Sequence, residues 1–269
     1  MSGPTVWPVF VKIRLHDTVA VDLTDDLVRI IKIPGCTGIT VIQLGIVPTP
    51  VNYFSMFHYD IDGAIQITGS HNPPEFNGIK ISYNKGAFYG KQIQELKKII
   101  ENNDFEIGSG KVEKVEIMSP YHTMLKNKIK IQRPMRAVID CGNAAACLSA
   151  PIIFPSLDIE IDELFCKVDS SFPNHHPDPT EDHNLVDLVK KIKNGSYDFG
   201  VAFDGDADRV VAVDELGSII RSDILIALFL PEIIKKGGEP IVFDVKCSQA
   251  LEDMIVYYGG TPIMWNTGH

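Results

Sequence analysis

The sequence predicts an α/β protein made of consecutive domains with mixed or parallel sheets, and three observations carry that prediction. From residue 38 onward, short β-rich runs alternate with amphipathic helical patterns. The helical stretches are of crossover length, which implies strands running side by side with helices on both faces of the sheet. The pattern also restarts twice, near residues 116–134 and near Gly217, dividing the chain into segments 1–116, 117–218 and 219–269.

The first 35 residues hold one alternating run, Thr18 to Leu23, and no chemistry that can be placed. Ile39 to Leu44 and Gly63 to Ile67 read as strands, each followed by a turn. Between Lys91 and Asn102, Ile93, Leu96, Ile99 and Ile100 recur at helical spacing, with lysines and glutamates on the other side. Pro120 to Pro134 mixes lysine, arginine and proline and marks the first boundary. Arg136 to Asp140 is a strand closed by Cys141-Gly142-Asn143. Leu185 to Ile192 repeats the helical spacing and stops at Asn194-Gly195. Phe199 to Phe203 and Val210 to Val213 are strands around an acidic turn. Ser222 is the expected N-cap of an apolar helix that runs to about Lys236 and stops at Gly237-Gly238. Strand Ile241 to Val245 and a helix capped by Ser248 complete the series.

With 269 residues, 45% hydrophobic and 22% charged, the chain is globular rather than disordered, collagen-like or coiled-coil. Lysine plus arginine number 25 and aspartate plus glutamate 35, a net charge of −10. General attraction to nucleic acid or an anionic membrane is therefore disfavoured, and a bound phosphate needs a local positive or metal-bearing site. Cys36, Cys141, Cys147, Cys166 and Cys247 are an odd set without a Cys-x-x-Cys pair, which suits reduced thiols in a cytoplasmic protein. Asn194-Gly195-Ser196 is more simply a turn than a glycosylation site. The longest apolar run, Ile224 to Leu230, falls far short of the roughly 20 residues that span a bilayer. Oligomeric state leaves no mark in the sequence.

Two loops carry chemistry. Thr68-Gly69-Ser70-His71-Asn72-Pro73-Pro74 follows a strand directly, so glycine and proline should hold Ser70 on a constrained bend. A nucleophilic or phosphate-carrying serine needs such a place with donors nearby, and His71 and Lys80 are the close candidates. On composition alone an ordinary polar turn explains the loop better, and no Gly-x-Ser-x-Gly elbow supports a hydrolase triad. The second loop, Phe203-Asp204-Gly205-Asp206-Ala207-Asp208-Arg209, sets three carboxylates at alternate positions after an apolar strand. Their mutual repulsion calls for a cation or strong donors, and converging hard oxygens suit Mg²⁺. Asp204, Asp206, Asp208 and Glu215 also match EF-hand ligand positions, but Arg209 stands where that loop requires glycine and a strand follows where a helix should. The EF-hand is rejected.

Together the loops resemble those of the α-D-phosphohexomutase family, most closely its bacterial phosphomannomutase/phosphoglucomutase branch. The likeness begins with Thr68-Gly69-Ser70-His71-Asn72-Pro73-Pro74-Glu75-Phe76-Asn77-Gly78-Ile79-Lys80 and includes the acidic loop. It continues in Phe172-Pro173-Asn174-His175-His176-Pro177-Asp178-Pro179, Phe243-Asp244-Val245-Lys246-Cys247 and Trp265-Asn266-Thr267-Gly268-His269, and covers about residues 36–269. The resemblance implies an intramolecular phosphotransferase that moves phosphate between the 1- and 6-positions of a hexose. It implies that Ser70 carries the phosphate, that a hexose 1,6-bisphosphate forms, and that Asp204, Asp206, Asp208 and a phosphoserine oxygen hold Mg²⁺. By the same resemblance Arg209 steadies phosphoryl oxygens, or forms a salt bridge to a neighbouring aspartate instead. His71 and Lys80 stand near the phosphoserine for proton transfer, with a loop-bracing hydrogen bond as the alternative for His71. Lys246 and His269 contact substrate. The pair His175-His176 is read as a structural corner without a catalytic role.

Several departures from the family pattern shape the remaining expectations. The family's Tyr-Asp-Ile-Arg-Gly-like start, Gly-Arg-Asp strand end, sugar-selecting Gly-Glu-x-Ser-Gly loop and C-terminal phosphate-binding domain are not found. The chain therefore reads as a mutase truncated at both ends, with the third domain incomplete, its sheet open and apolar surface exposed, and the fourth absent. At Gly142 to Cys147 the family has further glycines, so Ala144 and Cys147 are expected to strain that turn. Two alternatives stay open: a catalytically incompetent remnant that keeps phosphate or metal binding, and a Mg²⁺-dependent phosphatase-like hydrolase. The choice between mannose and glucose phosphates is not legible.

Overall fold

The computed structural model describes residues 40–72, 76–102, 104 and 111–267. Thr18 to Leu23, Cys36 and His269 lie outside them. The described residues form a mixed α/β structure whose strands fall into four sheets.

In the first part of the chain, β1 (Thr40–Gln43) pairs in parallel with β5 (Lys111–Lys114). Helix α1 (Thr49–His58) follows β1. No apolar periodicity marks it, but prolines at Pro48 and Pro50 suit a helix start, where the lost N–H would be unsatisfied anyway. Strands β2 (Gly63–Thr68), β3 (Gly78–Tyr83) and β4 (Gly86–Ala87) form a purely antiparallel sheet, where alternation with crossover helices had implied parallel or mixed pairing. Thr68 and Gly78 are the last paired residues of β2 and β3, which places Gly69, Ser70 and His71 at that end of the sheet. Helix α2 (Lys91–Glu101) forms as its spacing predicts, yet none of its residues is buried. Helix α3 (Met118–Lys128) occupies the stretch read as a boundary, and Ile117 packs with Val47 and Val51.

The middle part contains a five-stranded mixed sheet in the order β10-β9-β8-β6-β7. Its members are β6 (Met135–Asp140), β7 (Ile159–Leu164), β8 (Phe199–Phe203), β9 (Val210–Asp214) and β10 (Ile219–Ile220). Pairs β6–β7 and β6–β8 are parallel, whereas β8–β9 and β9–β10 are antiparallel. Successive side chains of β6 point to opposite faces. Val138 joins Leu185, Leu188 and Ile192 beneath α5 (Val186–Lys193), while Ile139 joins Ala146 and Ala150 beneath α4 (Ala150–Ser156). Both faces are therefore covered, and Ala137, Val138 and Ile139 are fully buried. The strain expected at Ala144 and Cys147 is not found there. Ala144 has φ −114° and Cys147 lies in a short 3₁₀ turn, while the left-handed positions are Gly142 (φ +53°) and Asn143 (φ +57°). The amide side chain of Asn143 donates to the Lys167 carbonyl (2.7 Å), which helps hold that conformation.

The last part pairs β11 (Pro240–Asp244) with β12 (Thr261–Trp265) in parallel, beside α6 (Ser222–Ile233) and α7 (Gln249–Tyr257). Two expectations need correction. The N-cap of α6 is Arg221 rather than Ser222, and the helix ends at Ile233, two residues after Pro231. Ser248 does occupy the N-cap of α7, but its side chain makes no capping hydrogen bond. No described helix is long and apolar enough to cross a membrane.

Candidate active site

The acidic loop closes the β8–β9 hairpin beyond the last pair, Phe203 with Val210. Asp204 folds the loop on itself: its Oδ1 accepts from the backbone N–H groups of Asp208 (3.1 Å) and Arg209 (3.0 Å). Its Oδ2 accepts from Arg209 Nε at 2.9 Å and from Ser70 Oγ at 3.0 Å. Two hairpin ends from different sheets therefore meet at one carboxylate oxygen, with serine and aspartate 134 positions apart.

Gly205 permits that approach. A Cβ at this position would stand 2.0 Å from the backbone oxygen of Ser70, so no other residue fits unless a main chain moves. Ser70 has φ +51°, a left-handed conformation uncommon for serine, and its N–H donates to Thr68 Oγ1 at 2.8 Å. Its Oγ also lies 3.2 Å from His71 Nδ1 and 3.4 Å from Arg209 Nη2. Arg209 contacts His71 Nδ1 as well. Burial and then the Arg209 charge lower the His71 pKa, favouring a neutral imidazole beside the serine.

Asp206 is fully buried, and both of its hydrogen-bond donors address the same oxygen. Oδ2 accepts from Lys80 Nζ (2.7 Å) and Thr49 Oγ1 (2.7 Å), while Oδ1 is buried without a partner. Lys80 also donates to Asp208 Oδ2 at 2.6 Å. Burial alone would raise the Asp206 pKa, but the hydrogen bond and charge of Lys80 outweigh it and lower it. Burial likewise opposes the Lys80 charge, yet its bonds to Asp206 and Asp208 raise its pKa. Asp204 behaves in the opposite way: burial, reinforced by the negative charge of Asp206, pushes its carboxyl up to about 6. One oxygen from each of Asp204, Asp206 and Asp208 lies within 4.8 Å of the others. Three converging hard oxygens, from a cluster that also includes the buried, unpaired Oδ1 of Asp206, fit a small divalent cation such as Mg²⁺.

The segment 172–179 braces the serine loop. His176 Nε2 bonds the backbone carbonyl of His71, and Phe172 packs edge-on against its ring at 6.1 Å. His175 anchors the same segment to β6, with Nε2 3.1 Å from Asp140 Oδ2 and Nδ1 2.9 Å from the His176 carbonyl. Burial opposes charge on His175, but Asp140 outweighs it and raises the pKa.

Of the residues singled out in the sequence, Ser70, His71, Lys80, Asp204, Asp206, Asp208 and Arg209 are thus brought together. Lys246 is not; it is exposed on the turn after β11 and shares no hydrogen bond or ion pair with the cluster. Sequence reasoning missed Thr49, Gly205 and the bracing role of His176. The run Pro48-Thr49-Pro50 marks a helix start, but nothing local names its partner at Asp206.

Comparison with known proteins places the chain in a family. The description "Phosphoglucomutase/phosphomannomutase, alpha/beta/alpha domain I" matches residues 28–107, and the corresponding domain II matches residues 119–217. A phosphomannomutase/phosphoglucomutase of Pseudomonas aeruginosa is 43% identical over 233 residues, covering 86% of this chain and 50% of the relative. A phosphoglucosamine mutase of Methanococcus maripaludis is 37% identical over 242 residues, 86% of this chain and 54% of that one. The crystal structure of a phosphoglucomutase/phosphomannomutase family protein from Burkholderia thailandensis superposes with a TM-score of 0.82 at 41% identity, covering 86% of this chain and 52% of that one. The chain spans about half the length of the curated relatives it matches. Fold, motifs and relatives converge on one conclusion: the chain belongs to the phosphoglucomutase/phosphomannomutase family of α-D-phosphohexomutases.

Proposed function

We propose that the chain carries the phosphoryl-transfer centre of a cytoplasmic, Mg²⁺-dependent hexose-phosphate mutase. Residues 1–116 would form the unit bearing the serine, 117–218 the unit bearing the acidic loop, and 219–269 the start of a third. The observation that carries the reading is the contact of Ser70 Oγ with Asp204 Oδ2 at 3.0 Å, which sets a strained serine against a cage of carboxylates. Asp204, Asp206 and Asp208, with an oxygen of phosphorylated Ser70, would hold Mg²⁺. When bound, the ion neutralises charge on the transferring phosphoryl group.

In this reading the bond from phosphorus to Ser70 Oγ breaks as a bond to a sugar hydroxyl forms. The sugar then carries two phosphates and returns the other to Ser70. Arg209, already within reach of Ser70 Oγ, steadies phosphoryl oxygens. The hydroxyl proton passes to a neighbouring base. His71, held neutral, and Lys80, once released from its carboxylates and rid of its own proton, are the two candidates. Lys246 and His269 would contact the sugar phosphate.

Labelled glucose 1,6-bisphosphate with Mg²⁺ tests the reading. Label on Ser70 with interconversion of 1- and 6-phosphates supports a mutase, and Ser70→Ala should abolish labelling. Stable label without turnover would leave a phosphate-accepting chain that does not catalyse the exchange. Decay to inorganic phosphate would make it a hydrolase. No label at all would sink the serine assignment.

A further inference from the structure

We infer that Thr49 is a positioning residue for the cation cage: it fixes the carboxylate of Asp206 so that Oδ1 stays free for a divalent ion. The inference rests on the magnesium reading above. Thr49 is fully buried at the first position of α1, on a different sheet system from the acidic loop. Its N–H donates to the Asp206 carbonyl at 2.9 Å and its Oγ1 donates to Asp206 Oδ2 at 2.7 Å. One residue thus pins both the main chain and the side chain of a residue 157 positions away. β-Branching further restricts the direction of the hydroxyl.

Oδ2 accepts both strong donors, Thr49 and Lys80, while Oδ1 is buried and unpaired. A buried carboxylate oxygen without a partner is costly to keep and points to a missing ligand. Lys80 alone cannot fix this orientation, because its flexible ammonium also bonds Asp208 and can follow either oxygen of Asp206. Thr49 removes that freedom. The cage therefore includes a part supplied by the first α/β unit, and a cation is bound well only when α1 docks on the acidic loop.

Calorimetric titration of the 269-residue chain with Mg²⁺ tests this. Thr49→Val keeps shape and branching but removes the donor, whereas Thr49→Ser keeps the donor. Loss of a hydrogen bond to a metal ligand typically weakens affinity by about 10- to 100-fold. Thr49→Val should fall in that range and Thr49→Ser should bind close to wild type. A Val variant that binds as tightly as wild type overturns the inference, and so does a Ser variant as weak as the Val variant. Should Thr49→Val fail to fold, Thr49→Ser decides alone: near-wild-type binding supports the role, and weakened binding rejects it. Wild-type protein that takes up no Mg²⁺ would instead overturn the magnesium reading itself.

Discussion

Strands β6 and β11 begin similar strand–helix units but are packed differently. In β6 the consecutive residues Ala137, Val138 and Ile139 are all fully buried, because helices cover both faces of the sheet. In β11 burial alternates: Ile241 and Phe243 are buried, whereas Val242 is 61% exposed and Val245 just beyond is 68% exposed. Met264 and Trp265 on β12 are exposed as well. The doubly covered sheet carries the acidic loop and receives the serine loop, while the singly covered one carries Lys246, which stands apart. Precise placement of charged groups goes with the unit whose backbone is held from both sides. If that is the lesson, changes at the loop contact should be severe and changes on the β11–β12 outer face mild.

The strongest way to break the comparison is Gly205→Ala. The added methyl meets Ser70 backbone rather than a movable side chain, so the two hairpin ends must separate. Misplacement of about 1 Å can cost on the order of 100-fold in rate, and Ser70 labelling should fall by about that factor. An Ala variant that labels at the wild-type rate would show that the close approach is dispensable.

His176→Leu should act more gently. It removes the brace on the His71 carbonyl but leaves Ser70, Arg209 and the carboxylates in place. A hydrogen bond of this kind is worth about 1 kcal/mol, so labelling should slow by roughly fivefold to tenfold. His176→Gln, which keeps a donor, should recover part of the rate, and equal losses in both variants would deny the brace.

The anchor behind that brace gives a pH-dependent effect. Both ring nitrogens of His175 face acceptors, Asp140 and the His176 carbonyl, and Asp187 adds a weaker favourable charge. Its pKa is raised on folding, so its stabilising contribution is fully present below the unfolded value near 6.5 and is lost as pH rises through the folded value. Urea midpoints should therefore decline above about pH 6.5 through this group. His175→Gln should flatten that part of the profile, and an unchanged slope would exclude the pair as its source.

How far these sites could be read from the sequence depends on the range of the interaction. The Asp-Gly-Asp-Ala-Asp-Arg run announces its chemistry because all three carboxylates lie within one hairpin end, and the Gly-Ser-His run announces a constrained bend for the same reason. The glycine between Asp204 and Asp206 could be read only as turn chemistry, since its real constraint is Ser70 backbone from another sheet. Thr49 was hidden similarly: prolines flag the start of α1, but its partner is 157 positions distant. Helix α2 gives the reverse case. Its 3.6-residue spacing is strong enough to identify the helix, but Ile93 and Ile99 remain 37% and 40% exposed, so periodicity described the local structure and not its burial. Ser222 failed as a cap because the helix takes it as its first residue, leaving the cap to Arg221.

The smallest expected effect gives the most discriminating test. Trp265→Ser on the outer side of β12 removes a side chain in a residue that is 66% exposed, in a strand that keeps its parallel pairing with β11 through backbone bonds. Substitutions at exposed positions usually change stability by no more than about 0.5 kcal/mol. The urea midpoint should barely move, and Ser70 labelling should not change at all, because Trp265 makes no hydrogen bond, ion pair or ring contact with the described residues of the serine and acidic loops. A loss of more than about 1 kcal/mol would mean that this face buries its apolar residues in solution. The contrast between the two sheets would then be one of partners and not of construction.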